Sequence, residues 1–162
     1  MKYSTKSEFH FSYYPIPNSS EFIHVSLRKS FNCTAFKTWE ACFAFLEWAV
    51  DNPTEFCSKT VLEVGSGCGL CGMMLKGIME DCDIIMSDYC DEVTEYILGN
   101  IDRSNSFSDN AFYLIDHEVF ERIGKPIPRV TTVDFCNFSR DHIKGLGADI
   151  VFATDVVMKS RC

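Results

Sequence analysis

Glu63-Val64-Gly65-Ser66-Gly67-Cys68-Gly69-Leu70-Cys71-Gly72 places four glycines within ten residues. Glycines in that density permit positive φ and let a ligand approach the main chain with no Cβ in the way. Upstream lies Thr60-Val61-Leu62-Glu63-Val64, a short β-branched run that reads as a strand. Downstream, Leu70, Met73, Met74, Gly77 and Ile78 follow the i, i+3, i+4, i+7, i+8 stripe of a helix. A strand that turns through glycines into a helix presents free N–H groups and a positive dipole, which favour a carboxylate or phosphate.

The same alternation continues on the C-terminal side. Asp83-Ile84-Ile85-Met86-Ser87-Asp88 reads as a second strand, and a second helix carries Val93, Tyr96, Ile97, Asn100 and Ile101 on one face. Residues 102–129 are polar, hold Pro126 and Pro128, and read mostly as loop with at most one helical turn. Residues 129–134 and 149–153 read as the third and fourth strands. Strands alternating with helices specify βαβ units and a parallel sheet.

On the N-terminal side, residues 8–14 and 22–27 alternate and flank the turn residues Pro15-Ile16-Pro17-Asn18-Ser19-Ser20, which predicts a hairpin. From Thr38, read as an N-cap, a helix with Trp39, Phe43, Leu46 and Val50 on one stripe runs to Asp51-Asn52-Pro53. Its aromatics Phe43, Phe45 and Trp48 are expected in the core. The fold class is thus α/β: one domain over residues 1–162, with a hairpin at 8–27 and a ligand-binding core at 38–158.

Charge narrows the partners. Fifteen Lys and Arg stand against 23 Asp and Glu, a net charge of −8, which argues against a nucleic-acid backbone partner. A small neutral or cationic ligand, or a basic protein surface, suits that balance. The first residues hold no apolar signal segment and the longest apolar run covers only residues 41–46, so neither secretion nor membrane insertion is expected. The expected location is cytoplasmic, with nine reduced cysteines packed as small hydrophobes. His10, His24, His117 and His142 show no metal-ligand spacing and are expected on the surface or in the hairpin.

The glycine segment satisfies two patterns. Gly67, Gly69 and Gly72 fit the dinucleotide fingerprint G-x-G-x-x-G; Glu63 with Gly65, Gly67 and Gly69 fits the acidic-x-G-x-G-x-G loop of class I S-adenosylmethionine methyltransferases. Asp88, 19 residues after Gly69, supplies a ribose-binding acid under either reading. The acid at position 63 favours the second, because a carboxylate suits the ammonium of a methionine moiety and sits badly beside a pyrophosphate.

Thr38-Trp39-Glu40-Ala41, Leu46-Glu47-Trp48-Ala49-Val50-Asp51-Asn52-Pro53 and residues 61–72 together resemble the seven-β-strand protein-lysine methyltransferases, in particular the elongation factor 2 lysine methyltransferase branch. Ser87-Asp88, residues 93–100 and residues 148–157 extend the likeness in order, over about residues 9–158. The Trp39 helix with its Asn-Pro end, starting 26 residues before Gly65, is the specific part.

That resemblance implies a Rossmann-like methyltransferase sheet, S-adenosyl-L-methionine as cofactor and a lysine of elongation factor 2 as substrate. It implies that Trp39 packs at the cofactor's edge, that Gly65-Ser66-Gly67 cradles its methionine end and that Asp88 holds its ribose. Phe135 falls where the family has a tryptophan beside the adenine, and Thr154 where it has alanine. Asp155 opens the family's D-x-x-Y signature, where it would gather and orient the substrate ammonium.

Met158 stands in place of the signature tyrosine, and the chain ends after the fourth of seven expected strands. An apolar strand so near a terminus risks an exposed sheet edge, and the expectation is that either a partner covers it or the chain is a fragment. Three other readings stand beside this one: a truncated, inactive protein that only binds cofactor or partner; a nicotinamide-dependent oxidoreductase; and a thiol oxidoreductase using Cys68-Gly69-Leu70-Cys71 at a helix start, where the dipole lowers a thiol pKa.

Overall fold

The expected hairpin forms. In a computed structural model, which describes residues 9–28, 34–106, 114–115, 118–119, 128–134, 137 and 139–156, β1 (Phe9–Pro15) and β2 (Phe22–Arg28) pair antiparallel from Phe9↔Arg28 to Pro15↔Phe22. A 3-10 turn at Thr34–Phe36 leads to α1 (Glu40–Asp51), and a second at Pro53–Glu55 follows it. Asn52 closes α1 by donating from its side-chain amide to Trp48 O at 2.8 Å.

The βαβ units follow: β3 (Thr60–Val64), α2 (Leu70–Ile78), β4 (Asp83–Asp88) and α3 (Asp91–Ser106). Beyond α3, β5 (Leu114–Ile115) and β6 (Glu118–Val119) make a short antiparallel ladder. Then come β7 (Arg129–Thr132), α4 (Arg140–Gly145) and β8 (Ile150–Phe152). The four-stranded sheet is parallel throughout, in the order β7-β4-β3-β8. The connections β3–α2–β4 and β4–α3–β7 run one way across the sheet, and β7–α4–β8 returns to the far side of β3. This is a Rossmann-like topology, and the crevice between β3 and β8 is its switch point.

Two expectations need correction. The buried face of α1 is Cys42, Leu46 and Ala49, one step round from the stripe of aromatics; Trp39, Phe43, Trp48 and Val50 are exposed by 39–48%. Small residues win because α1 packs against α2, and Cys42 and Ala49 allow that close approach where an aromatic would hold the helices apart. Of the three aromatics expected in the core only Phe45 turns inward, its ring stacked 4.1 Å from that of Phe152.

The second correction is that α3 runs on to Ser106, past the loop expected from residue 102. Ser104 hides this continuation because its role is polar. Tyr96, Asn100 and Ser104 recur every fourth residue and take the place of a third hairpin strand. Ser26 N–H donates to Asn100 Oδ1 at 2.9 Å, and Tyr96 donates its hydroxyl to Ser26 O at 2.7 Å. His24 N–H donates to Ser104 Oγ at 3.0 Å, and Ser104 Oγ donates back to His24 O at 2.8 Å. The outer edge of β2 is thereby satisfied by side chains, as buried backbone requires.

His24 lies in the hairpin, one of the two places expected for the histidines. It is buried in the hairpin with its ring stacked 4.4 Å from that of Tyr13; His10 and His142 are exposed, and His117 lies outside the described residues.

The hairpin and the sheet share one core: Ile16, Ile23, Val25 and Leu27 join Leu46, Val61, Leu75, Ile84 and Ile97. Asn100, wholly buried, also donates from Nδ2 to Cys68 O at 2.8 Å, so one side chain links hairpin, helix and glycine loop. No helix among the described residues is long and apolar enough to cross a membrane. Asn100→Ala strands a buried N–H of β2 and a buried carbonyl of the loop, and urea unfolding should show a loss of about 2–4 kcal/mol. A loss below about 0.5 kcal/mol would mean that water replaces both bonds.

Candidate functional site

The three segments that leave β3, β4 and β8 at their C-terminal ends converge on one cavity of about 500 Å³, inside the roughly 300–1,000 Å³ range of small-molecule sites. Its walls include Glu63 near the end of β3 with Gly65, Ser66 and Gly67 after it, Asp88 at the end of β4 with Tyr89 after it, and Thr154, Asp155 and Val156 after β8. Trp39 and its neighbours at the start of α1 complete it. Of the ten residues singled out in the sequence, eight therefore meet in one place. Gly69 is not among the lining residues: a Cβ there would meet Ile97 of α3 at 3.0 Å, so it serves helix packing. Phe135 lies outside the described residues.

The glycine loop is held to β4 beyond the end of their ladder. Ser66 N–H donates to Ser87 O at 2.8 Å, and Ser87 N–H donates to Ser66 Oγ at 3.1 Å. Ser66 thus spends its side chain on the fold. Asp88 is buried; its Oδ2 accepts from Gly67 N–H at 2.9 Å and its Oδ1 from Tyr89 N–H at 2.8 Å. Each carboxylate oxygen has a second lone pair for a ligand, and these two bonds fix the direction in which it points.

Gly65 and Gly67 have φ of +73° and +55°. A Cβ at Gly65 would run into Val156 Cγ1, and one at Gly67 would come within 2.8 Å of Ala35 O. Both glycines are therefore demanded twice, by backbone conformation and by the segments that close over them.

Glu63 differs from every other polar group here. It is 1% exposed, lines the cavity, and its Oε2 has no hydrogen-bond partner among the described residues. Burial lifts its carboxyl from the ordinary 4.5 to about 7, with the Asp88 charge adding to the rise and donors at Ser66, Gly72 and Cys71 opposing it. A buried carboxylate with one oxygen left unpartnered is costly unless a cation reaches it. The geometry offers that cation the cavity.

The thiols behave oppositely to the expectation from the helix dipole. Burial pushes Cys68 up to about 12, and Cys71 is raised by its hydrogen bond with Cys42 together with burial. Desolvation outweighs the dipole, so neither forms a thiolate at neutral pH, and both are free thiols. No group of three or more His, Cys, Asp or Glu among the described residues is placed to hold a metal ion.

Sequence reading missed Tyr89, an aromatic 60% exposed on the cavity rim immediately after Asp88. Its position after the strand-end acid was the available signal. It also missed Lys37 and Cys42, which no motif marks.

A Rossmann-like cradle with acids at the ends of two adjacent parallel strands is an architecture that suits a nucleoside-type cofactor. A family model described as lysine methyltransferase matches residues 23–117, and the chain belongs to that family. It is 30% identical over 128 residues to the human protein-lysine N-methyltransferase EEF2KMT (Homo sapiens), covering 79% of this chain and 37% of that protein. The mouse protein of the same name (Mus musculus) is 31% identical over 128 residues, 79% and 36% of the two chains. The bovine one (Bos taurus) is 39% identical over 72 residues, 44% and 21%. The match thus spans little more than a third of the length of the human and mouse relatives and about a fifth of the bovine one.

Glu63 makes stability pH-dependent. Below pH 4.5 both folded and unfolded states hold the proton. As pH rises from 4.5 to about 7 the unfolded chain releases it first, so stability falls, by about 3 kcal/mol once pH exceeds the folded value. Glu63→Gln, followed by chemical unfolding at pH 5 and pH 8, should flatten this slope and stabilise the ligand-free protein at the higher pH. An unchanged slope would mean that Glu63 ionises freely.

Proposed function

We propose that this chain is the cofactor-binding part of an S-adenosyl-L-methionine-dependent protein-lysine N-methyltransferase that acts on elongation factor 2. One observation carries the cofactor assignment. The unpartnered, buried Oε2 of Glu63 lines the same cavity as Asp88, which matches a ligand with a cationic amino-acid end and a ribose. Glu63 would meet the ammonium, Asp88 the ribose hydroxyls and Trp39 the cofactor's edge, with Gly65 and Gly67 giving the backbone surface beneath its methionine end. Tyr89 would add an aromatic wall, and Thr154 lines the same cavity.

The cofactor supplies an electrophilic methyl on a good leaving group, so what remains for the protein is positioning. Asp155 at the cavity wall would gather and orient the substrate lysine. At neutral pH only about one free lysine in 2,500 is unprotonated, and a carboxylate raises rather than lowers that pKa; water is the proton acceptor in this reading. The nicotinamide reading is disfavoured by Glu63, whose carboxylate would repel a pyrophosphate. The redox reading is disfavoured by the two buried, protonated thiols. Elongation factor 2 rests on the resemblance alone, and a cytoplasmic location goes with that substrate.

Calorimetric titration with S-adenosylmethionine should show binding that Asp88→Ala weakens by about 1–3 kcal/mol, with no competition from NAD. Equal affinities for the two proteins would remove Asp88 from the site. Methyl incorporation into purified elongation factor 2, located by mass spectrometry, tests the substrate. Cofactor binding without incorporation would leave the chain a binding protein.

A further inference from the structure

Helix α1 begins without a cap of its own. Its first-turn N–H groups need acceptors, yet the N-cap residue Trp39 makes no side-chain capping bond. Thr38, the capping residue expected from sequence, instead accepts from the Tyr14 hydroxyl at 3.4 Å. The missing acceptor comes from 114 residues away: Ala41 N–H donates to Asp155 Oδ2 at 3.0 Å. A carboxylate at that place also complements the helix dipole.

Asp155 reaches it from a left-handed backbone, φ +54°, a conformation that Asn and Asp tolerate better than most residues. The next residue, Val156, closes over Gly65. Residues 155 and 156 therefore touch two walls of the cavity at once. Trp39, two residues before Ala41, lines the cavity and is tied at its own indole N–H to Thr34 O at 3.0 Å.

We infer that Asp155 is a positioning residue: it caps α1 in trans, and the post-β8 segment thereby holds Trp39 against the cofactor cavity. This rests on the cavity being the cofactor site. It is separate from any contact with substrate lysine, because it needs an acceptor atom at position 155 and no charge.

Two variants separate acceptor from charge. Asp155→Asn keeps an acceptor oxygen and tolerates positive φ; Asp155→Gly removes the side chain while relaxing the backbone. Titration with S-adenosylhomocysteine should find Asp155→Asn within about twofold of wild type and Asp155→Gly about five- to tenfold weaker, the effect of losing one helix cap. In a Trp48→Phe background, leaving Trp39 as sole indole, emission should shift to the red in the Gly variant and stay in place in the Asn variant.

Equal weakening in both variants would show that the charge attracts the cofactor, and would overturn the positioning role. So would a Gly variant unchanged in affinity and emission. If wild type binds neither cofactor nor product, the proposed function fails on its own, and Trp39 emission still decides: a shift confined to the Gly variant supports the cap, and identical spectra refute it. Should the Gly variant not fold, Asp155→Asn decides alone: retained affinity supports the cap and lost affinity overturns it.

Discussion

The site depends on a short cross-link that continues the β3–β4 pairing past the end of β3. Ser66 exchanges bonds with Ser87 through N–H and hydroxyl, Ser87 donates its own hydroxyl to Glu63 O at 2.7 Å, and Gly67 N–H is fixed to Asp88. Without these the glycine loop would have no defined path, because glycines lose more conformational freedom on ordering than any other residue. With them, loop and strand-end acid move as one body. The acid is aimed by the loop that faces the same cavity.

Against that saturated network, Glu63 is the exception. Its neighbours Ser66, Ser87 and Asp88 all have partners, while one carboxylate oxygen is buried and left over. A hydrophobic residue at position 63 would suit a buried strand better, since replacing a buried polar group by an apolar one is often neutral or stabilising. An acid that is buried, cavity-facing and incompletely bonded is destabilising in the free protein, and a binding site is where such local cost is expected. Gly72 is part of the same arrangement: a Cβ there would lie 2.7 Å from Glu63 Oε2, so the helix passes the carboxylate only because that position is glycine.

The sheet, its strand limits and the glycine loop were legible because each is governed by local rules: β-branched runs, helical stripes, and a bend that only glycine can follow. Asp88 was legible for the same reason, standing at a strand end at a fixed distance from the loop. The buried face of α1 was not, because Cys42 and Ala49 matter by being small, and hydrophobic patterning weights large side chains. The length of α3 was not, because Ser104 lies on the buried stripe through two hydrogen bonds and not through apolar area. The start of α1 was misread for a third reason: Thr38 is chemically able to cap, and nothing local reveals that a residue 114 positions later does so.

These failures share a cause, and it bears on how the cavity works. One wall, residues 63–72 with Asp88, is written in contiguous sequence and fixed by neighbours along the chain. The facing wall is assembled from segments far apart in the chain: Ala35 lies over Gly67 and Val156 over Gly65, while Asp155 anchors the helix that carries Trp39. Two walls fixed by different rules need not respond alike to change. The loop wall tolerates almost nothing at its glycines, because a Cβ collides with fixed atoms. The facing wall is made of exposed or half-exposed residues joined by single contacts, and local stability follows contact density. Differences in what such a cavity admits are therefore easier to make on the facing wall, with the loop supplying an invariant grip.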